Sequence, residues 1–85
     1  MEIGRIVVKL AGRDAGRLGV IVRLEGDRAE VTGPKSLTGL RRRLVNISHL
    51  EPTPYKIEIS EGASDEEVLE AIEKAGLKEI MTKRL

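Results

Sequence analysis

Three consecutive arginines, Arg41, Arg42 and Arg43, are the side chains of this 85-residue chain that most clearly predict a chemical task. A guanidinium group carries a planar fork of donors that fits phosphate oxygens, and a small domain has few buried positions for three such cations. The only acidic residues near them in the sequence are Asp27 and Glu30. We therefore expect these cations to have no partner in their own chain and to bind the phosphates of an external polyanion. The alternative is a solvated basic strand edge that deters aggregation.

Two further arginines accompany a short loop that contains glycines. Arg13 and Arg17 lie within and directly after residues 12–16, between two apolar stretches that read as strands. Both are candidates for the same anion-binding surface. Ion pairs with Asp14 or Glu25 are the alternative.

The remaining candidates are Lys35 and His49. Lys35 follows a Gly-Pro pair, which predicts an exposed turn, and there it serves either binding or solubility. His49 is the only histidine, and the chain has no cysteine, so the pattern predicts neither a metal site nor a disulfide. We expect its ring to bond the backbone of a turn at residues 48–50, with contact to a nucleic acid as the alternative.

Charge and composition narrow the function further. Residues 1–50 hold ten basic and five acidic side chains, whereas residues 51–85 hold five basic and nine acidic ones, so a basic part faces an acidic part although the net charge is only +1. Tyr55 is the only aromatic residue, which disfavours base stacking and favours contact with phosphate and sugar. No paired acid and base, nucleophile or cofactor loop suggests an enzyme. No apolar run is long enough to predict a membrane span or a secretion signal.

The elements that position these residues follow from periodicity. Apolar residues alternate in a way that predicts strands at about residues 5–10, 18–24, 28–32, 40–47 and 55–59. In the second strand Val20, Val22 and Leu24 should share a face. The fourth strand fits no single pattern, so either a bulge near Arg43 changes its face or the strand proper begins at Leu44.

Turn and cap signals complete the expected layout. A tight turn is predicted at residues 25–27, one helical turn at 48–50, and an interruption at 51–54 where two prolines occur. Gly12, Gly16 and Gly19 are expected to be turn glycines with positive φ, with Gly19 at the opening of the second strand. Ser64 begins a helix with a capping box, Gly76 ends it, and a second helix is predicted over residues 77–85. Short strands at this spacing predict one mainly β domain, a small closed barrel with a C-terminal α-helix.

The glycine-bearing loop between two strands resembles a KOW motif, which residues 4–22 carry. The stretches Val-Thr-Gly-Pro-Lys at 31–35, Thr-Gly-Leu-Arg-Arg-Arg at 38–43, Val-Asn-Ile-Ser-His-Leu-Glu-Pro-Thr at 45–53 and Gly-Ala-Ser-Asp-Glu-Glu-Val at 62–68 are similar to the archaeal L-fourteen-e family of large-subunit ribosomal proteins. The chain departs from that pattern at Leu44, where a basic residue is usual, and Leu44 is therefore expected to pack.

This resemblance implies an SH3-like barrel over residues 1–60 and a helical segment over residues 61–85 packed on the same domain. It implies a structural, non-catalytic constituent of the cytoplasmic ribosome that contacts large-subunit rRNA and neighbouring ribosomal proteins and needs no cofactor, metal, membrane or small-molecule substrate. The loop with Arg13 and Arg17 resembles the RNA-facing loop of the family. The competing hypothesis is a KOW module of a transcription or translation factor that binds another protein.

Overall fold

A curved antiparallel sheet forms most of the protein. The computed structural model describes residues 1–34 and 37–83. Its strands are β1 (Arg5–Lys9), β2 (Leu18–Glu25), β3 (Arg28–Thr32), β4 (Arg43–Asn46) and β5 (Leu50–Lys56), and they pair in the order β4-β3-β2-β1-β5. The expected mainly β class, a small barrel with a C-terminal helix, is confirmed, but hydrogen bonds among the described strands do not close the barrel as expected.

The curl of the sheet follows from its connections. The two outermost strands, β4 and β5, are consecutive in sequence and are joined only by a 3-10 turn at Ile47–His49. Because three residues cannot cross a flat sheet of five strands, the sheet must bend until its edges approach. The described strands show no ladder between β4 and β5, so the short turn brings the edges together without a complete ring of hydrogen bonds.

Both faces of the sheet are buried, each against a different set of side chains. The inner core lies inside the curve and contains Val7, Ile21, Ala29, Val31, Leu40 and Leu50. The outer core lies on the other face and joins Ile6, Leu18, Val20 and Val22 to Ile57, Ala63 and the helical residues Val68, Ile72 and Met81. Adjacent residues such as Ile6 and Val7 are therefore both fully buried.

A bulge in β2 changes which residues share a face. Ile21 pairs with Val31 and Arg23 pairs with Glu30, so Val22 is an extra residue in β2. As a result Leu24 packs against the inner core rather than beside Val22. The expectation that Leu24 shares a face with Val20 and Val22 is wrong, because simple alternation does not include the inserted residue.

The fourth strand begins at Arg43, one residue before the start at Leu44 that one interpretation predicted, so Arg41 and Arg42 lie in the loop as that interpretation expects and Arg43 does not. Val45 packs on the inner core, and Leu44 points to the opposite face, as alternation requires. Leu44 is 45% exposed, so the expectation that it packs is wrong. Because β4 is an edge strand of the sheet, the side chain of Leu44 on its outer face stays partly open to solvent.

The fifth strand contains both prolines that were expected to interrupt the chain. β5 runs from Leu50 to Lys56, and among the described strands it pairs with β1 alone, so prolines, which cannot donate, are tolerated along its other edge. Its register slips between Arg5 and Val7, and there the hydroxyl of Thr53 donates to the carbonyl of Ile6 at 2.7 Å. The side chain thus supplies a donor where the main-chain ladder is irregular.

Two helices cover the outer face of the sheet. Helix α1 (Asp65–Lys74) begins with the predicted capping box of Ser64 and Glu67. It ends at Gly76, whose φ is +72°, with Leu77 N donating to Ile72 O as in a Schellman motif. Helix α2 (Lys78–Met81) is shorter than predicted, and residues 84 and 85 lie outside the described part. Neither described helix has the length and apolar character of a membrane span.

Candidate functional site

The loop between β1 and β2, the loop before β4 and the turn before β5 meet at one rim of the barrel. The loop between β1 and β2 is closed by Gly16 N donating to Lys9 O at 2.8 Å and Lys9 N donating to Arg17 O at 3.0 Å. The amide of Leu10 donates to the carbonyl of His49 at 2.8 Å, which joins this loop to the turn before β5. We call Lys9, Arg13, Arg17, Arg41, Arg43 and His49, with the loops that carry them, the basic rim.

Arg41 and Arg43 are two exposed members of the basic rim. Together with Lys9 they border a small apolar depression at the mouth of the inner core, next to Leu40 and Leu50. Both arginines are exposed, and neither makes an ion pair or side-chain hydrogen bond with residues 1–34 or 37–83. Their guanidinium groups are therefore available to an external anion.

Arg17 and Lys9 share one carboxylate. The Nε atom of Arg17 and the Nζ atom of Lys9 each lie 3.9 Å from a carboxylate oxygen of Asp14, and Arg17 Nη1 also donates to the carbonyl of Thr38. The predicted alternative of an ion pair with Asp14 is thus observed for Arg17. Arg13 is exposed within the same loop and has an interaction of its own.

Arg42 faces away from its two neighbours. Its guanidinium group donates to Glu30 at 3.0 Å, to Asp65 at 2.8 Å and to the carbonyl of Ala63 at 2.6 Å. The expectation that none of the three arginines has a partner in its own chain is therefore wrong for Arg42. One partner, Glu30, was near in sequence, whereas Asp65 comes from the start of α1 and approaches only in the folded chain.

The contacts of Arg42 form a small network between the sheet and α1. Partial burial lowers the pKa of Arg42, but hydrogen bonds to Asp65 and Glu30 outweigh that effect and raise its pKa. Asp65 also accepts a hydrogen bond at 2.8 Å from the hydroxyl of Thr32, a buried residue. Arg42 therefore holds the loop before β4 against the helix while its neighbours remain exposed.

Of the two remaining candidates, His49 lies within the described residues and Lys35 does not. His49 is exposed, and its ring makes no hydrogen bond within the described residues, so the expectation that the ring bonds the backbone of the turn is wrong. The turn is instead held by Asn46, whose side chain accepts from Ser48 N at 3.0 Å. Lys35 lies outside the described residues.

Glycines shape the basic rim in two ways. Gly12 and Gly16 have positive φ, as predicted for the loop. Gly19 does not, and its expected role as a turn glycine is wrong. A Cβ at Gly19 would stand 2.5 Å from Val31 Cγ1 and 2.7 Å from Leu40 Cδ2, so close packing of the inner core requires glycine there. This packing fixes Leu40, the residue directly before the arginines.

Sequence reasoning missed Lys9 as a member of the basic rim. Lys9 is the last residue of β1 and lies opposite Leu50, which places its side chain beside Arg41 and Arg43. A strand-ending lysine next to a glycine-bearing loop is the signal that could have identified it. No group of side chains suited to a metal ion occurs in the described part of the chain.

Comparison with known proteins agrees with this architecture. The KOW motif matches residues 3–33, which span β1, the loop of the basic rim, β2 and β3. Large ribosomal subunit protein eL14 of Pyrobaculum calidifontis is 57% identical, with all of this chain aligned to 84% of the relative. The protein of the same name from Desulfurococcus amylolyticus is 58% identical over all of this chain and 90% of the relative. A third, from Staphylothermus marinus, is 58% identical over 95% of this chain and 85% of the relative.

The chain belongs to the eL14 family. High identity along the full chain decides this, and it confirms the resemblance drawn from the KOW loop and the stretches that follow it. The eL14 family consists of structural, non-enzymatic proteins, which agrees with the expected lack of catalysis. The basic rim of this member contains residues from both the KOW region and the segment that follows it.

Proposed function

We propose that this eL14 protein is a structural constituent of the large ribosomal subunit in the cytoplasm and that its basic rim binds the phosphate backbone of large-subunit rRNA. The names of its relatives support the assignment to the large subunit. The observation that carries the RNA-binding part is the pair of exposed guanidinium groups, Arg41 and Arg43, beside Lys9 at a rim joined from three loops. Neighbouring ribosomal proteins are the other expected contacts.

The chemistry of the basic rim favours backbone contact over base reading. Guanidinium forks bind phosphate oxygens in pairs of parallel hydrogen bonds, and this needs no base sequence. Stacking of bases needs aromatic faces, and the single aromatic residue, Tyr55, lies on β5 rather than on the basic rim. The protein therefore recognises the shape of an RNA segment through the spacing of its cations.

The roles within the basic rim differ from residue to residue. Arg41 and Arg43 contact phosphate directly, and Arg13 and His49, which lie on neighbouring parts of the basic rim, extend that contact. Lys35 is proposed as a further phosphate contact from its sequence position alone. In the protein without RNA, the cationic groups of Arg17 and Lys9 lie close to the carboxylate of Asp14. This contact positions them before RNA binds. Arg42 contributes by fixing the loop that presents its neighbours, since its guanidinium group already donates to Glu30, Asp65 and the carbonyl of Ala63.

The salt dependence of binding tests this proposal. We would measure the affinity of the full chain for a large-subunit rRNA fragment at several salt concentrations, with the variant Arg41→Gln/Arg43→Gln beside the parent. The slope of log affinity against log salt is negative, and loss of two phosphate contacts should reduce its magnitude by about 1.5–2. The affinity at low salt should fall as well.

A matched variant separates local contact from net charge. Arg23→Gln/Lys83→Gln removes two exposed cations that lie outside the basic rim, on β2 and after α2. It should leave the salt slope within about 0.5 of the parent value, because it removes no phosphate contact. Equal effects of the two variants would contradict the assigned surface.

A further inference from the structure

A groove on the acidic side of the molecule lies between the segment that follows β5 and helix α1. Its volume is about 520 Å³, and its apolar lining includes Ile57, Ile59, Ala63 and Ala71. Ile57 and Ala63 are almost fully buried and belong to the outer core. The floor of the groove is therefore part of the packed interior, which gives it a fixed shape without a ligand.

One wall of this groove is an extended segment with unused main-chain groups. Burial alternates along residues 57–60, as in a strand, and Ile57 N donates to Gly4 O at 2.9 Å. After that bond the amides of Glu58, Ile59 and Ser60 have no partner in the described part of the chain. An unpaired strand-like edge beside an apolar groove suits the addition of an extended peptide through main-chain hydrogen bonds.

The charges around the groove select a basic occupant. The two lysines that line it are already paired, Lys56 with Glu2 at 3.0 Å and Lys74 with Glu70 at 3.4 Å. Glu58 has no ion pair among the described residues, which leaves uncompensated negative charge on the wall. RNA phosphate would be repelled there, whereas lysines or arginines on a peptide would be attracted.

We propose that this groove binds an extended, positively charged segment of a neighbouring protein, which adds as a strand to residues 58–60 and places apolar side chains between them and α1. The surface is distinct from the basic rim, so the two parts of the molecule take partners of opposite charge. Peptide binding in the groove does not depend on phosphate binding at the basic rim, and either proposal can fail without the other.

A peptide titration of the full chain tests the chemistry. The probe is an acetylated, amidated heptapeptide of alternating lysine and valine, and the control replaces each lysine with glutamate. Amide resonances of residues 57–60 and of the α1 face with Ala71 should shift with the basic peptide only. Equal shifts with the acidic peptide, or none in the groove, would overturn the proposal.

Charge variants show whether the groove itself is used. Glu58→Lys reverses a charge on the groove wall and should weaken binding about fivefold. Glu73→Lys makes the same change on α1 outside the groove lining and should alter affinity less than about twofold. Equal weakening would mean general attraction to the acidic surface. Glu58→Lys should leave rRNA affinity no weaker than that of the parent, so failure of the groove and failure of the basic rim are distinguishable.

Crosslinking in assembled large subunits identifies the class of occupant. A photoreactive amino acid replaces Ala75, which is exposed and lines the groove, and the matched control replaces Glu73. The proposal expects a crosslink from position 75 to a lysine- or arginine-rich segment of another protein, and none to that segment from position 73. A crosslink to rRNA or to a second copy of this chain, or no crosslink, would contradict it.

Discussion

Adjacent arginines in this chain have different surroundings because of where the backbone turns. Arg41 and Arg43 are exposed at the mouth of the inner core, whereas Arg42 points to the outer face and meets Glu30 and Asp65. One side chain thus stabilises the loop, and its neighbours remain available. Because the three arginines have different roles, variants of one arginine at a time are more informative than reversal of the charge of all three.

Replacing Arg42 with glutamine should destabilise the fold. The side chain is 30% exposed and donates to three acceptors, so its loss should lower the free energy of unfolding by about 1–2 kcal/mol. Denaturant unfolding measures this, with Arg41→Gln as the control. That control should stay within about 0.5 kcal/mol of the parent. Equal loss in both variants would contradict the division of roles.

Glu2 should titrate at a lower pH than an ordinary glutamate. Hydrogen bonds from Lys56, and then from Arg5, lower the pKa of its carboxyl below the ordinary glutamate value. A carboxylate with a depressed folded-state pKa stabilises the fold above its unfolded pKa, and this contribution is lost as the pH falls through the folded value. A carboxyl NMR titration checks the direction. A midpoint at or above the ordinary glutamate value would contradict it.

The sequence identified the candidate anion-binding residues around the arginines, but it did not show in which direction each side chain extends. The triplet, the KOW loop and the capping box were all readable from residue type and spacing. The contact between Arg42 and Asp65 joins residues 23 positions apart, and no local pattern encodes it. The exposed ring of His49 was equally unreadable, because the turn that carries it is held by the side chain of Asn46 instead.

At the scale of elements, burial of both sheet faces determines the local geometry. β2 has five consecutive buried residues, so its pattern does not reveal which face each one covers. The bulge at Val22 and the inclusion of two prolines in β5 were not predicted, for one shared reason. Both depend on how the strand pairs with its neighbour, which the local sequence does not encode. The capping box and Schellman motif of α1 were predictable because they depend on residues within one helix.

Gly19 is a position where an added methyl group should press directly on the inner core. Gly19→Ala would press on Val31 and Leu40 in the inner core and should lower the free energy of unfolding by about 1–3 kcal/mol. Shortening a neighbour should relieve part of the strain. The double variant Gly19→Ala/Val31→Ala should therefore lose less stability than the two single losses together, in a double-mutant cycle of unfolding. Additive losses would contradict close packing at this position.

At the scale of the whole molecule, the outer core joins barrel and helices. Val68, Ile72 and Met81 are fully buried against strand residues such as Val20 and Val22. We propose that residues 61–85 and residues 1–60 form one cooperative unit rather than two. In this proposal the outer core also holds the basic rim and the groove beside α1 in a fixed relative position.

Truncation of Ile72 tests this unity. Ile72→Ala should lower the free energy of unfolding by about 2–5 kcal/mol, because it leaves a cavity in the outer core. Helical circular dichroism and Tyr55 fluorescence should report one coincident transition, since Tyr55 lies on β5. Loss of the helical signal while the barrel signal persists would contradict a single cooperative unit.

The central claim concerns what Arg41 and Arg43 contact when the protein is in place. A cryo-EM structure of a large ribosomal subunit that contains this chain measures this directly. We predict both guanidinium groups within about 3 Å of rRNA phosphate oxygens, with Arg42 still bound to Asp65. Finding Arg41 and Arg43 in solvent or on protein carboxylates, with rRNA contacting another face of the barrel, would contradict the account.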